Sequence, residues 1–86
     1  EDHIVRRTVA SAIQGMGSEA KTALPGLIKS LQDEDHMVRR SVALAIETMG
    51  PEGKAAIPAL TNALRDDDFV VRQNAAKALK AIGAGP

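Results

Sequence analysis

Residues 35–50 read DHMVRRSVALAIETMG, and a similar stretch occurs at two other places in the chain. The other copies are DHIVRRTVASAIQGMG at residues 2–17 and DFVVRQNAAKALKAIG at residues 68–83, a spacing of 33 residues. We call these the B segments. A second stretch, the A segment, reads ALPGLIKSLQD at residues 23–33 and AIPALTNALRD at residues 56–66. Self-similarity at a fixed spacing predicts a stack of repeated units, each burying its apolar face against its neighbours.

Each B segment has the pattern of a capped helix. An aspartate opens it, at a position where the carboxylate can accept a backbone N–H of the first turn. A glycine closes it, as suits the left-handed conformation just past a helix end. Apolar residues follow at helical spacing, and in the middle copy they are Val38, Val42, Ala45, Ile46 and Met49. The B segments are therefore predicted to be amphipathic helices.

Each A segment contains a proline, which a helix tolerates only in its first turn. Pro25 and Pro58 therefore predict regular helices at residues 23–32 and 56–65, preceded by turns or a short helical turn. The predicted apolar stripes are Leu24, Leu27, Ile28 and Leu31 in the first A helix, and Ile57, Leu60, Ala63 and Leu64 in the second.

The helix order is then B, A, B, A, B within a single domain at residues 1–86. We expect a half repeat at residues 1–17, repeats at 18–50 and 51–83, and a tail at 84–86. A period of 33 residues also fits ankyrin repeats and is close to that of tetratricopeptide repeats. Ankyrin units would open on Thr-Pro-Leu-His, which the sequence does not contain, and tetratricopeptide units need several aromatic residues. The sequence has one Phe and neither Trp nor Tyr, which argues against the tetratricopeptide alternative.

The order Pro-x-Leu, Leu-x-Asp-x-Asp, Val-Arg and alanines before glycine resembles the HEAT-like repeat of the phycobilisome-lyase type. The resemblance implies an all-α fold, an α-solenoid of HEAT-like (armadillo-like) helical hairpins with about two and a half repeats. The residues that carry it are Pro25, Leu27, Leu31, Asp33, Asp35, Val38, Arg39, Ala43, Ala45 and Gly50, then Pro58, Leu60, Leu64, Asp66, Asp68, Val71, Arg72, Ala76, Ala78 and Gly83, with Asp2, Val5, Arg6, Ala10, Ala12 and Gly17 in the half repeat.

Composition narrows the class of partner. Eleven basic and eleven acidic residues give a formal net charge of zero, whereas a nucleic-acid-binding domain shows a basic stripe. No apolar run approaches the roughly 20 residues needed to cross a bilayer, and no signal peptide is visible. We therefore expect a cytoplasmic protein that binds neither nucleic acid nor membrane.

Chemistry by this chain alone is not predicted. His3 and His36 occupy equivalent first-turn positions, and stacked helices about 10 Å apart cannot bring both to one zinc. The acids at residues 66–68 are expected to end one helix, lie in the turn and cap the next. The arginines recur where the acids recur, so an Arg–Asp ladder between units is favoured over a ligand site. We expect no enzyme activity, no metal and no cofactor.

Positions that vary between otherwise similar units are the candidates for binding a partner. On the B helices, which line the concave side of such solenoids, the variable positions form a mixed polar wall. Its candidate protein-binding residues are Arg7, Ser11, Gln14, Arg40, Leu44, Glu47, Gln73, Lys77 and Lys80. The alternative is an ordinary solvated helix face.

The leading functional hypothesis is a noncatalytic protein-interaction scaffold that is a piece of a longer HEAT-like array. The resemblance also implies an alternative, part of a bilin-chromophore lyase or its partner subunit. A DNA-binding or base-repair HEAT-like enzyme is disfavoured by the zero net charge. The terminal helices leave apolar side chains without a neighbouring unit, which predicts end-to-end self-association or a homodimer. Its candidate residues are Ile4, Val9 and Ile13, since a symmetric dimer through the first helix is the expected form. At the last helix, Val70, Leu79 and Ile82 are expected to lack a following unit.

Overall fold

The computed structural model describes residues 22–83, which contain four α-helices, a 3₁₀ helix of seven residues and no β-strand. Residues 22–23, directly before the first α-helix, also have 3₁₀ conformation. Short and long helices alternate along the chain. The elements are α1 (Leu24–Ser30), α2 (His36–Met49), the 3₁₀ helix (Gly50–Ala56), α3 (Ile57–Ala63) and α4 (Phe69–Ile82). The predicted all-α class is confirmed for these residues. The first B segment and the tail at residues 84–86 lie outside them.

The short helices begin where proline allows them to begin. Pro25 lies in the first turn of α1 and Pro58 in the first turn of α3, where the missing N–H breaks no helical bond. Both helices end two residues earlier than predicted, and Leu31 and Leu64 begin the turns that follow them. The turn predicted before α3 is the 3₁₀ helix, which joins α2 to α3 without a break.

The long helices are capped as predicted. Oδ1 of Asp35 accepts the N–H of Met37 at 2.9 Å, and Oδ2 of Asp68 accepts that of Val71 at 2.9 Å. Each cap pairs a first-turn N–H that has no partner within the helix, which costs about 1 kcal/mol to lose.

The two glycines that end these helices differ in conformation. Gly83 has the predicted left-handed geometry, with φ 98° and ψ 11°. The prediction for Gly50 is wrong in detail, because its φ of 59° is combined with ψ of −139°. This extended ψ turns the chain directly into the 3₁₀ helix, whereas a left-handed cap would have closed α2 with a separate turn.

The core lies where α2 and α4 pack against each other and against the short helices. The predicted stripe of α2 is buried, with Ile46 and Val42 among the largest fully buried side chains, and so are the apolar residues at the equivalent positions of α4. Gly53 of the 3₁₀ helix fits into the seam between the long helices. A Cβ there would lie 3.1 Å from Cγ2 of Ile46 and 3.4 Å from Cδ1 of Ile82, so a larger residue would press on both.

Two expectations about exposure are wrong. Leu64 was assigned to an apolar stripe but is 39% exposed, whereas its equivalent Leu31 is 4% exposed. Leu79 and Ile82 were expected to lack cover, yet both are buried. Both side chains lie on the side of α4 that faces the core, and Ile82 lies near Gly53 of the 3₁₀ helix. The exposed side of α4 therefore does not include them.

Candidate functional site: the arginine–aspartate ladder and the helix wall

Arg39 joins the turn before α2 to the turn before α4. Its Nη1 donates to the backbone carbonyl of Asp33 at 2.7 Å. Its Nε donates to Oδ2 of Asp66 at 2.8 Å and its Nη2 to Oδ1 at 3.1 Å. This parallel pair of bonds is the geometry that makes arginine–carboxylate contacts strong and directional. The predicted Arg–Asp ladder is therefore present between these two turns, while Arg6 lies outside the described residues.

The aspartates of the ladder also build the turns that present them. Oδ1 of Asp66 accepts the backbone N–H of Asp68 at 2.9 Å. The same bond is made one unit earlier, from the N–H of Asp35 to Oδ1 of Asp33, at 2.8 Å. The spacing of two residues in Asp-x-Asp thus serves a local turn, with the second aspartate capping the helix that follows.

Arg40 forms a second, parallel rung of the ladder. Its Nε donates to Oδ2 of Asp68 at 2.9 Å and its Nη2 to Oδ1 at 2.8 Å. Asp68 therefore caps α4 and binds α2 at the same time. These bonds engage the guanidinium of Arg40, a candidate for binding a protein partner, inside the chain, while its side chain keeps 30% exposure. Its role toward a partner stays a prediction.

These contacts set the protonation of both carboxyls. The hydrogen bonds from Arg40, with the charge of that guanidinium, hold the pKa of Asp68 well below its usual range. Burial acts to raise the pKa of Asp66, but the hydrogen bonds from Arg39 and from the Asp68 N–H outweigh it and lower that pKa. Both groups are therefore anionic at neutral pH, as the ladder requires.

Arg72 makes one of the two kinds of contact that its equivalent Arg39 makes, the hydrogen bond to a backbone carbonyl of the preceding turn. Its Nη1 donates to the backbone carbonyl of Asp66 at 2.6 Å, as Arg39 does to that of Asp33. Its guanidinium carbon lies 5.6 Å from the ring centre of Phe69, within the range of a cation–π contact. No residue within 22–83 accepts a hydrogen bond from its Nε or Nη2.

The wall residues on the described helices differ in exposure. Gln73, Lys77 and Lys80 of α4 are exposed, while Leu44 and Glu47 of α2 are half-buried. The remaining candidates, Arg7, Ser11 and Gln14, lie outside the described residues. The same holds for the self-association candidates Ile4, Val9 and Ile13.

Asn74 is a structural residue that the sequence did not reveal. It occupies the position equivalent to Thr8 and Ser41, one of the positions that vary between the B helices. It is 5% exposed, and its Nδ2 donates to the backbone carbonyl of Arg40 at 3.1 Å, linking α4 to α2. A signal was present, because each member of the series is a small hydrogen-bonding residue at the same position.

An open groove of about 450 Å³ lies between the turns that follow α1 and α3. Its lining includes Arg39, Asp66 and the exposed Asp67. The one cation in that lining is already bonded to Asp33 and Asp66, so the groove offers an acidic rim without a free positive group. We assign no ligand to it.

The described residues hold no arrangement typical of a metal site or a nucleophile. No group of three or more His, Asp or Glu side chains in this part of the chain could hold a metal ion. The hydroxyls of Thr48 and Thr61 donate to backbone carbonyls of their own helices. In this range, too, no helix has both the length and the apolar character needed to span a bilayer.

Comparison with known proteins supports the repeat assignment. The family model described as HEAT repeats matches residues 1–80, which is most of the chain. Comparisons with curated proteins and with solved structures gave no significant match. The family match, together with the alternating short and long helices, leads to one conclusion: the chain belongs to the HEAT repeat family.

Proposed function

We propose that the chain is a noncatalytic protein-interaction scaffold that forms part of a longer HEAT-like array. HEAT repeats are in general protein-interaction scaffolds, and the family is typically noncatalytic. The phycobilisome-lyase subtype that the sequence resembles is a finer proposal, supported by the motif residues alone.

The binding surface that we propose is the helix wall, formed by Leu44 and Glu47 on α2 and by Gln73, Lys77 and Lys80 on α4. Their equivalence along the repeat supports this choice, since Leu44 and Lys77 stand 33 residues apart, as do Glu47 and Lys80. None of these side chains takes part in the Arg–Asp ladder.

The charge of α4 carries the proposal. Residues 69–82 contain three basic residues and no acidic one, and Lys77 and Lys80 are exposed. Half-buried Leu44 stands at the position equivalent to Lys77 and adds an apolar contact. Such a surface is complementary to a partner segment in which acidic side chains flank an apolar one.

The test is affinity capture from source-cell extract with three forms of the chain. These are the wild type, the wall variant Lys77→Glu/Lys80→Glu, and the control Lys29→Glu/Lys54→Glu, which makes the same charge change at exposed lysines elsewhere. We expect partners common to the wild type and the control to be lost with the wall variant. Capture of the same proteins by all three forms would contradict the proposal.

The bilin-lyase alternative needs aromatic and basic side chains on one surface. Phe69, the one aromatic residue of the sequence, is 61% exposed beside Arg72, which favours it. A single ring is a small stacking surface for a tetrapyrrole, so the scaffold remains the leading proposal. Titration of biliverdin with the chain decides between them: saturable absorbance changes that Phe69→Ala abolishes would support the lyase.

A further inference from the structure

The two methionines within residues 22–83 differ in their access to solvent. Met37, in the first turn of α2, is 36% exposed, whereas Met49, the last residue of the same helix, is 6% exposed. The residues equivalent to Met37 in the other B segments are Ile4 and Val70, so sulfur stands at this position in one unit only. A peroxide must contact a thioether in order to oxidise it. On the folded chain that contact is open at Met37 and largely blocked at Met49.

The sulfur of Met37 also lies against a charged hydrogen-bond donor. Its Sδ is 3.3 Å from Nη1 of Arg40, one helical turn further along α2. Arg40 binds Asp68 through Nε and Nη2, and these two bonds do not use Nη1. A thioether sulfur is a weak acceptor. Nη1 of Arg40 is therefore a cationic donor whose acceptor within residues 22–83 is a weak one.

We propose that Met37 is a site of oxidation by peroxides, and that Nη1 of Arg40 binds the oxygen of the methionine sulfoxide that forms. In this two-electron step a lone pair of the sulfur attacks one peroxide oxygen, the O–O bond breaks and an S–O bond forms. With hydrogen peroxide, the leaving hydroxide takes the proton of the transferred OH group. The products are methionine sulfoxide and water, so the sulfur is oxidised and the peroxide is reduced.

The surroundings of Met37 suit the product. Oxidation makes the side chain polar, which disrupts packing at a buried position such as Met49. At Met37 the new oxygen lies at the surface, beside a guanidinium whose Nη1 is not bonded to a carboxylate. Oxidation there gives Nη1 of Arg40 a strong acceptor in place of a weak one and leaves both bonds to Asp68 intact. The guanidinium is then held through all three of its nitrogens.

The first experiment maps where peroxide reacts. The folded chain is treated with limiting hydrogen peroxide and quenched at intervals, and the sulfoxide at each methionine is measured by mass spectrometry of its peptides. We expect Met37 to react several-fold faster than Met49, because oxidation of Met49 requires a local opening of the core. In concentrated urea the two rates should become similar. Oxidation of Met49 as fast as Met37 in the folded chain would overturn the proposal.

The second experiment measures the bond to Arg40. Urea unfolding is followed before and after oxidation for the wild type and for Arg40→Gln. We expect oxidation to favour folding more in the wild type, by about threefold in the folding equilibrium constant, the lower end of the range for one hydrogen bond. Met37→Leu, taken through the same treatment, gives the contribution of the other methionines, which is subtracted.

Equal effects of oxidation with and without the guanidinium would overturn the assignment of the sulfoxide oxygen to Nη1. Arg40→Lys replaces Arg40→Gln in the comparison if the glutamine variant does not fold. Lysine keeps the positive charge near Asp68 but lacks the fixed fork of N–H groups that can hold the carboxylate and the sulfoxide together, so the effect should again be lost. Both experiments are made without a binding partner, so their outcome is independent of the scaffold function.

Discussion

The Nε atom of Arg39 lies 2.8 Å from Oδ2 of Asp66, which is 27 residues further along the chain. Asp66 sits in the turn before α4, and Arg39 sits in the first turns of α2. The contact thus links two successive units at their polar edge, while the apolar stripes link them in the core. The repeated Asp-x-Asp and Val-Arg motifs are therefore the two partners of one contact between units: the arginine of one motif binds the aspartate of the other.

The Arg–Asp contact should make the free energy of unfolding depend on pH. The pKa values of Asp66 and Asp68 are lowered in the folded chain, whereas aspartate in an unfolded chain titrates near 3.9. As the pH falls below about 4, the unfolded state binds more protons than the folded state, so the free energy of unfolding decreases. We expect urea midpoints to be nearly constant at neutral pH and to fall below about pH 4.

The variant Asp66→Asn/Asp68→Asn should show a shallower fall over the same range, and the exposed Glu52→Gln should keep the wild-type slope. Identical slopes in the three proteins would mean that the decline comes from other carboxyl groups.

The core prediction concerns Ile46, which is fully buried and lies so near Gly53 that a Cβ there would be 3.1 Å from its Cγ2. Ile46→Ala should lower the free energy of unfolding by about 2–5 kcal/mol, since it removes buried methyl groups and leaves a cavity. Lys54→Ala, at an exposed position of the 3₁₀ helix, should change it by no more than about 0.5 kcal/mol. Equal urea midpoints for the two variants would contradict the packing described.

Asn74 should contribute to the stability of the fold through its hydrogen bond between α4 and α2. Asn74→Ala removes the bond to the Arg40 carbonyl and should lower the free energy of unfolding by about 1 kcal/mol. The neighbouring Gln73→Ala, at an exposed position, should be close to neutral. Thermal melts of both variants check this, and a melting temperature for Asn74→Ala matching that of Gln73→Ala would argue against an interhelical role.

Periodicity was enough to predict the helices and most of the core. The stripe containing Val38, Val42 and Ile46 is buried because residues three and four apart share one helix face. The ladder was also predictable, since arginine and aspartate recur in step through the repeat. In both cases the deciding information lies within one unit or in the spacing between units.

What failed depends on the side-chain surroundings that a neighbouring unit creates. Leu31 and Leu64 belong to the same motif, yet Leu31 is buried and Leu64 is exposed, a difference that the motif itself does not encode. The sequence also does not reveal that Asp68 caps a helix and binds Arg40 at the same time. The ψ of Gly50 depends on the 3₁₀ helix that follows it.

The most direct test of the account is a double-mutant cycle on Arg39→Gln and Asp66→Asn, measured by urea unfolding at neutral pH. Both side chains are largely shielded, but the pair lies near solvent, so we expect a coupling free energy of about 1 kcal/mol, the upper end for exposed ion pairs. Coupling of that size would show that the pair stabilises the contact between the two units. Strictly additive losses would show that the ladder is a geometric coincidence of packed helices, and the central claim would be wrong.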